Sequence, residues 1–176
     1  MNKGFVIWLT GLPASGKTTI ARQLEIRLKE IGRQVEVFDG DEVRKNLSSD
    51  LGFSKEDRKL HAKRVAYVSK VLARNGVVAV VALISPFREF RDDARNQIDD
   101  FVEVYVKCSV EACAKRDPKG LYKKAASGEI KNLTGPQEPY EEPVNPEVTV
   151  DTERFTVEDS VKRILSTVLE LGLLPQ

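Results

Sequence analysis

Histidine occurs once in these 176 residues, at position 61, and cysteine twice, at 108 and 113. Zinc centres draw on Cys and His ligands, so this small supply argues against one. The two cysteines fall in an expected strand-to-helix turn, and a lone pair in a chain of this size reads as two reduced thiols. Neither sign of charge dominates: 28 basic residues against 27 acidic leave a formal net charge of +1. No global basic field therefore argues for nucleic acid. No apolar run approaches the roughly 20 residues that a membrane-spanning helix needs. The chain starts almost directly on an expected strand, so no cleavable signal is expected ahead of the fold. These shortages point to a cytoplasmic protein that binds neither membrane nor nucleic acid. What is present is a globular balance, 41% hydrophobic and 31% charged, in a length that suits one domain over residues 1–176.

Apolar runs alternate with helical patterns along that length. Residues 5–10, "FVIWLT", read as a buried strand, and Thr18 to Ile31 as a helix stopped by Gly32. "QVEVFDGD" reads as a second strand ending in acid, followed by a short helix from Asp41 to Leu47. Ser54 to Arg74 is an expected helix, residues 77–84 a strand, and Phe87 to Ile98 a polar helix. "FVEVYVKC" is a strand, Val110 to Arg116 a helix, and "LYKKAASGE" a short helix. Pro136, Pro139, Pro143 and Pro146 make residues 132–147 an irregular loop. A short strand, "EVTVDT", and a closing helix from Val157 to Leu171 complete the pattern. Strands alternating with helices predict an α/β fold, a parallel sheet with helices on both faces.

"GLPASGKT", from Gly11 to Thr18, satisfies every position of the phosphate-loop pattern G-x-x-x-x-G-K-[ST] between a strand and a helix. Gly11 and Gly16 let the backbone turn tightly and aim successive N–H groups at one point. The helix start adds a positive dipole end. Lys17 supplies a charge for the β- and γ-phosphates, and Thr18 offers a hydroxyl to Mg²⁺. Ala14, Ser15 and Thr19 belong to the same nucleotide-binding stretch. The loop therefore predicts a site for a nucleoside triphosphate.

Mg²⁺ takes oxygen ligands. "DGD", Asp39-Gly40-Asp41, lies where the second strand should end at the same crevice. One carboxylate can orient metal-bound water while the other accepts a proton from an attacking hydroxyl. The alternative is that Asp41 only caps the next helix. Arg44, Arg58 and Arg88 fall near expected crevice edges and suit an anionic acceptor. Arg64, Arg91 and Arg95 read as solvated. Phe53 and Phe87 either stack on a ring or fill the core.

The blocks "GLPASGKTT", "DGDEVR", "LGFSKEDR", "ISPFREFR", "RDPKGLYKKAASGEIKNLTG" and "PYEEPVNPEV" occur in that order. Together they resemble the adenylylsulfate kinase (APS kinase) family over nearly the whole chain. The loop alone is generic. "ISPFR" with "RDPKGLYKKA" is specific. The resemblance implies a three-layer P-loop NTPase fold. It also implies transfer of the ATP γ-phosphoryl to the 3′-hydroxyl of adenosine 5′-phosphosulfate (APS), giving 3′-phosphoadenosine 5′-phosphosulfate (PAPS) and ADP. Under it, Asp39 assists Mg²⁺, Asp41 meets the acceptor hydroxyl, and Arg44, Arg58 and Arg88 hold the phosphosulfate. Phe53 stacks on the acceptor adenine, Ile84 and Ser85 line the acceptor site, and Arg116 contacts the ATP base. Lys119 to Lys131 form a mobile lid within a region of about 117–135. Ser85 also occupies the position proposed in the family as a phosphorylated intermediate, which in-line transfer does not require. A homodimer and an ATP sulfurylase partner are further implications.

Two positions depart from the family pattern. His61 stands where the family has Asn, and Leu133 where it has Phe. Leu133 keeps apolar contact with an adenine and loses ring stacking, worth roughly 1–3 kcal/mol per base. His61 keeps a hydrogen bond with a different reach. Two rival readings share the loop: another small-molecule kinase, for a nucleoside, gluconate or shikimate, and a catalytically silent nucleotide sensor. The first does not share "ISPFR" with "RDPKGLYKKA". The second is expected to have lost loop residues that are present here.

Overall fold

The computed structural model describes residues 3–175. Five strands form one sheet: β1 (Val6–Thr10), β2 (Val35–Asp39), β3 (Val78–Ala82), β4 (Phe101–Lys107) and β5 (Val148–Asp151). The order across the sheet is β2-β3-β1-β4-β5, and every pairing is parallel. Seven helices connect and cover them: α1 (Lys17–Glu30), α2 (Gly40–Leu47), α3 (Lys55–Arg74), α4 (Arg88–Gln97), α5 (Val110–Arg116), α6 (Leu121–Ala126) and α7 (Val157–Glu170).

Strand periodicity decides which layer each side chain joins. Phe5, Ile7 and Leu9 point to one face and pack on Ile20, Leu24, Leu28, Val161, Ile164 and Val168 of α1 and α7. Val6 and Trp8 point to the other and meet Val65, Ala66 and Ala94 of α3 and α4. Both faces are covered, which is why β1 and β3 are buried at every position and apolar at all but Thr10. The helices–sheet–helices layering expected from the sequence is what forms. No helix among the described residues is long and apolar enough to cross a membrane.

A third apolar cluster sits at one end of the sheet. Leu12, Cys108, Cys113, Tyr122, Ala125 and Leu133 are its buried members. It joins the loop after β1 to α5, α6 and the segment beyond. Both cysteines are free thiols inside it. β1 is central: the chain runs from it to β2 and back to β3 on one side, then crosses from β3 to β4 on the other. The crevice beyond the strand ends at that switch point is where ligands of open α/β sheets bind.

Candidate active site

Four helices begin with a side-chain cap. Asp39, Ser54, Ser109 and Thr156 accept from the backbone N–H groups of Asp41, Asp57, Ala112 and Asp159. α1 begins differently. Gly16 precedes it with φ 109° and no side-chain cap. That left-handed backbone is one that glycine adopts without a steric penalty. The first N–H groups of α1 are thus left for an anion. Gly11 is required for another reason: a Cβ there would lie 2.5 Å from the Val106 carbonyl oxygen.

Lys17 is 8% exposed, so its charge is buried in the loop rather than projecting from it. Nζ donates to the carbonyls of Gly11 (2.9 Å) and Leu12 (2.8 Å) and, more weakly, to Ser15 Oγ (3.5 Å). Burial lowers its pKa from 10.5 to about 8. Ser15 is buried behind the loop, where its carbonyl accepts from Thr152 Oγ1 at 2.8 Å.

Thr18 Oγ1 donates to Asp39 Oδ2 at 2.6 Å, so the two expected metal ligands already meet. Asp39, not Asp41, caps α2, with its Oδ1 3.2 Å from the Asp41 N–H. β2 therefore ends at Asp39, two residues earlier than the sequence pattern suggests, and α2 starts at Gly40, one residue earlier. Asp41 is left pointing outward, in an ion pair with Lys119. A hydroxyl and a carboxylate, with no nearby cluster of three Asp, Glu, His or Cys among the described residues, suit an ion that keeps water and phosphate oxygens in its shell. Mg²⁺ fits that donor set.

One cleft of about 1160 Å³ runs along the strand ends. Ala14, Gly16, Lys17, Thr18, Thr19 and Arg116 line the end that holds the glycine loop. Asp39 and Asp41 lie at the middle, and Arg44, Phe53, Arg58, His61, Ile84, Ser85, Lys119 and Leu133 line the rest. Phe53 is 57% exposed, with the Arg44 guanidinium 4.5 Å from its ring centroid. That leaves it beside the cleft rather than in the core. His61 is buried, with Nδ1 2.9 Å from Ser48 Oγ. Desolvation, aided by Arg44 and Arg64, lowers its pKa to about 4. Leu133 is buried in the third apolar cluster and also reaches the cleft.

The arginines divide differently from the sequence expectation. Arg58 is committed to protein carbonyls and hydroxyls: Nε to Phe53 O (2.9 Å), and its two terminal nitrogens to Thr134 Oγ1 and Asn132 O (both 2.8 Å). It latches the segment after α6 to α3. Arg88 does not line the cleft. It turns toward the 141–145 segment, where Nε donates to Glu142 O at 2.8 Å, and lines a separate cavity of about 200 Å³. Arg91 is 2% exposed and paired to Glu103 at 2.9 Å, so its reading as a solvated residue is wrong. The buried Glu103 on β4 supplies the counter-charge that makes this possible. Arg64 is half-committed, with both terminal nitrogens on Asp50 at 2.6 and 2.8 Å. Arg95 pairs with Glu147 at 2.6 Å.

Within the expected lid of about 117–135, Asp117, Lys119, Leu121, Tyr122 and residues 129–134 line the cleft. The Asp117 carboxylate accepts from the N–H groups of Tyr122 and Lys123 in the first turn of α6. Tyr122 donates its hydroxyl to the Pro13 carbonyl at 2.8 Å, tying this cover to the phosphate loop.

A family model described as Adenylylsulphate kinase matches residues 3–151. The chain belongs to the adenylylsulphate kinase family. An adenylyl-sulfate kinase of Rippkaea orientalis is 51% identical over 98% of this chain and 95% of its own length. A "Probable bifunctional SAT/APS kinase 2" of Sorangium cellulosum is 53% identical over 98% of this chain, which spans only 30% of that relative's length. The structure of the Mycobacterium tuberculosis APS kinase CysC in complex with AMPPNP and APS superposes with a TM-score of 0.92. It is 37% identical, with 96% of this chain and 99% of that chain covered.

For an adenylylsulphate kinase family member, the sequence reading left part of the nucleotide end unseen. Thr152, Phe155 and Val157 line the cleft beyond β5. Arg116 reaches Thr152, donating to its Oγ1 (3.0 Å) and its carbonyl (2.7 Å). The available signal was positional: "RFTV" follows the carboxyl end of a parallel strand, where the other site residues also gather.

Proposed function

We propose that this chain transfers the γ-phosphoryl of ATP to the 3′-hydroxyl of APS, yielding PAPS and ADP. The observation that carries this reading is a single cleft joining the phosphate loop to Asp41 and onward to the Phe53–Leu133 end, in a chain related over its whole length to adenylyl-sulfate kinases.

The phosphates of ATP rest on the backbone N–H groups between Ala14 and Thr19. Lys17 exchanges its loop carbonyls for the β- and γ-oxygens. Arg116 and Phe155 flank the ATP base. Thr18 and Asp39 would hold Mg²⁺, which would supply positive charge to neutralise the negative charge developing on the phosphates. The acceptor lies beyond Asp41, with its adenine between Phe53 and Leu133. Arg44 faces its phosphosulfate. His61 and the Ile84–Ser85 backbone meet its polar edge. Asp41 accepts the 3′-hydroxyl proton as that oxygen attacks in line. Lys119, carried by the cover, brings a cation to the crossing point and contacts Asp41. Closure of residues 117–135 excludes water from the γ-phosphate. Ser85 Oγ accepts from Trp8 Nε1 at 3.0 Å, a contact suited to a fixed wall rather than to a phosphorylated relay.

The same reading makes residues 1–176 one catalytic domain, acting in the cytoplasm as a homodimer. ATP sulfurylase is its functional partner, an idea supported by the double name of the Sorangium relative. The deciding experiment measures ADP release with APS, nucleosides and sugar acids side by side. Release with APS alone supports the proposal. Turnover of a sugar acid or nucleoside at the same level sinks it.

A further inference from the structure

The acceptor wall is held from behind by a buried cation. Ser85 is not glycine, yet its φ is 46°, a left-handed backbone that an L-residue keeps only when its surroundings impose it. Its carbonyl accepts from an Arg91 terminal nitrogen at 2.5 Å. The other terminal nitrogen donates to Glu141 O at 2.5 Å, and Nε donates to Glu103 Oε1 at 2.9 Å. Glu141 in turn ties back to the wall. Its N–H donates to Pro86 O and its Oε2 accepts from the Arg88 N–H, both at 2.8 Å. One guanidinium therefore joins α4, β4, the segment around Glu141 and the residue at the cleft. All three of its nitrogens are used, in the planar fork that a lysine cannot reproduce.

We propose that Arg91 is a positioning residue for the phosphoryl acceptor: clamped by Glu103, it fixes the Ser85 backbone and thereby the acceptor wall, without acting on the nucleotide loop. This rests on the acceptor assignment above. Ile84 is pinned separately, its carbonyl accepting from Thr10 Oγ1 at 2.7 Å, and Trp8 Nε1 holds the Ser85 side chain, so release of Arg91 loosens the Ser85 carbonyl and the Glu141 segment that it ties to the wall. Arg95 provides an internal contrast. It belongs to the same ion network, pairing with Glu103 and Glu147, but makes no contact with Ser85.

The experiment compares Arg91→Lys, Arg95→Lys, Glu103→Gln and Phe53→Ala by steady-state kinetics and by calorimetric titration of AMPPNP and APS. Arg91→Lys should raise the KM for APS about tenfold or more, as a misplaced wall does. Its AMPPNP Kd should stay within about twofold of the parent's, the loop being untouched. Arg95→Lys should lower Tm and leave the KM for APS unchanged. Should Arg91→Lys fail to fold, Glu103→Gln keeps an oxygen for Arg91 Nε and should show the same split more weakly. Equal losses for both ligands, no change for APS, or an Arg95→Lys variant that reproduces the KM effect each overturn the inference. Phe53→Ala separates the two levels. If it weakens APS while the Arg91 and Glu103 variants do not, positioning alone is wrong. If Phe53→Ala leaves APS affinity intact, the acceptor assignment falls and the inference with it.

Discussion

Asp39 and Asp41 stand two residues apart and face different partners. Asp39 holds Thr18 and the start of α2, while Asp41 holds only Lys119. Asp41→Asn should lower kcat by about 10²–10⁴, the usual span of general base catalysis, with little change in ATP affinity. Asp39→Asn should instead shift the Mg²⁺ requirement upward while keeping a side-chain oxygen to cap α2. Equal and small effects, read from Mg²⁺ titrations of kcat, would show the pair to be a helix start only. Lys17 carries a second residue-scale prediction. In the free protein its pKa is about 8, and phosphates alongside must draw it upward. Nucleotide binding at pH 9 should therefore take up a proton, and affinity should fall as pH rises past 8. Calorimetry in two buffers of different ionisation enthalpy measures it, and identical heats would refute it. The loop residues were legible in the sequence because their spacing alone dictates the local backbone. Arg91 was not, because its partner Glu103 lies on another layer and only packing brings the two together. Arg88 failed for the same reason in reverse: nothing in its neighbours announces Glu142 as its acceptor.

Helix α6 has only six residues, too few to be stable alone, and it persists by docking. Tyr122 is its anchor, packed against Leu12, Cys113 and Leu133 with its hydroxyl on the Pro13 carbonyl. Tyr122→Phe keeps the ring and leaves that buried carbonyl without its donor, a loss of about 1–3 kcal/mol. The melting temperature should fall, and the KM should rise for both substrates, since Tyr122 is tied to the phosphate loop through Pro13 and shares an apolar cluster with Leu133 at the proposed acceptor end. Thermal melts and initial rates test this together, and a raised KM for one substrate alone would count against a shared cover. The element pattern was legible wherever an apolar run or a cap carried it. β1, β3, α3 and α7 form close to where periodicity put them. The end of β2 was misplaced because the acids after it look like a strand terminus and in fact begin a helix. The extent of the cover came only from resemblance, since no periodicity marks it.

At the scale of the molecule, buried His61 sets an acid limit. An unfolded His titrates near 6.5, whereas His61 in the fold resists protonation until about 4. Between those values the unfolded chain binds the extra proton, so stability rises with pH. It should be lost progressively as pH falls from 6.5 to 4. His61→Asn should flatten that part of the profile, as urea midpoints at pH 7, 5.5 and 4.5 would reveal; parallel profiles for parent and variant would refute it. The order β2-β3-β1-β4-β5 has a consequence for synthesis. Val6 pairs with Ala79 and Phe101, so neither neighbour of the first strand exists when that strand leaves the ribosome. At about 5–20 residues per second, the sequence Val-Ile-Trp-Leu-Thr spends several seconds as an unpaired apolar strand in the nascent chain. The interval between synthesis of β1 and synthesis of its partners β3 and β4 therefore sets how long that strand is exposed to misassembly.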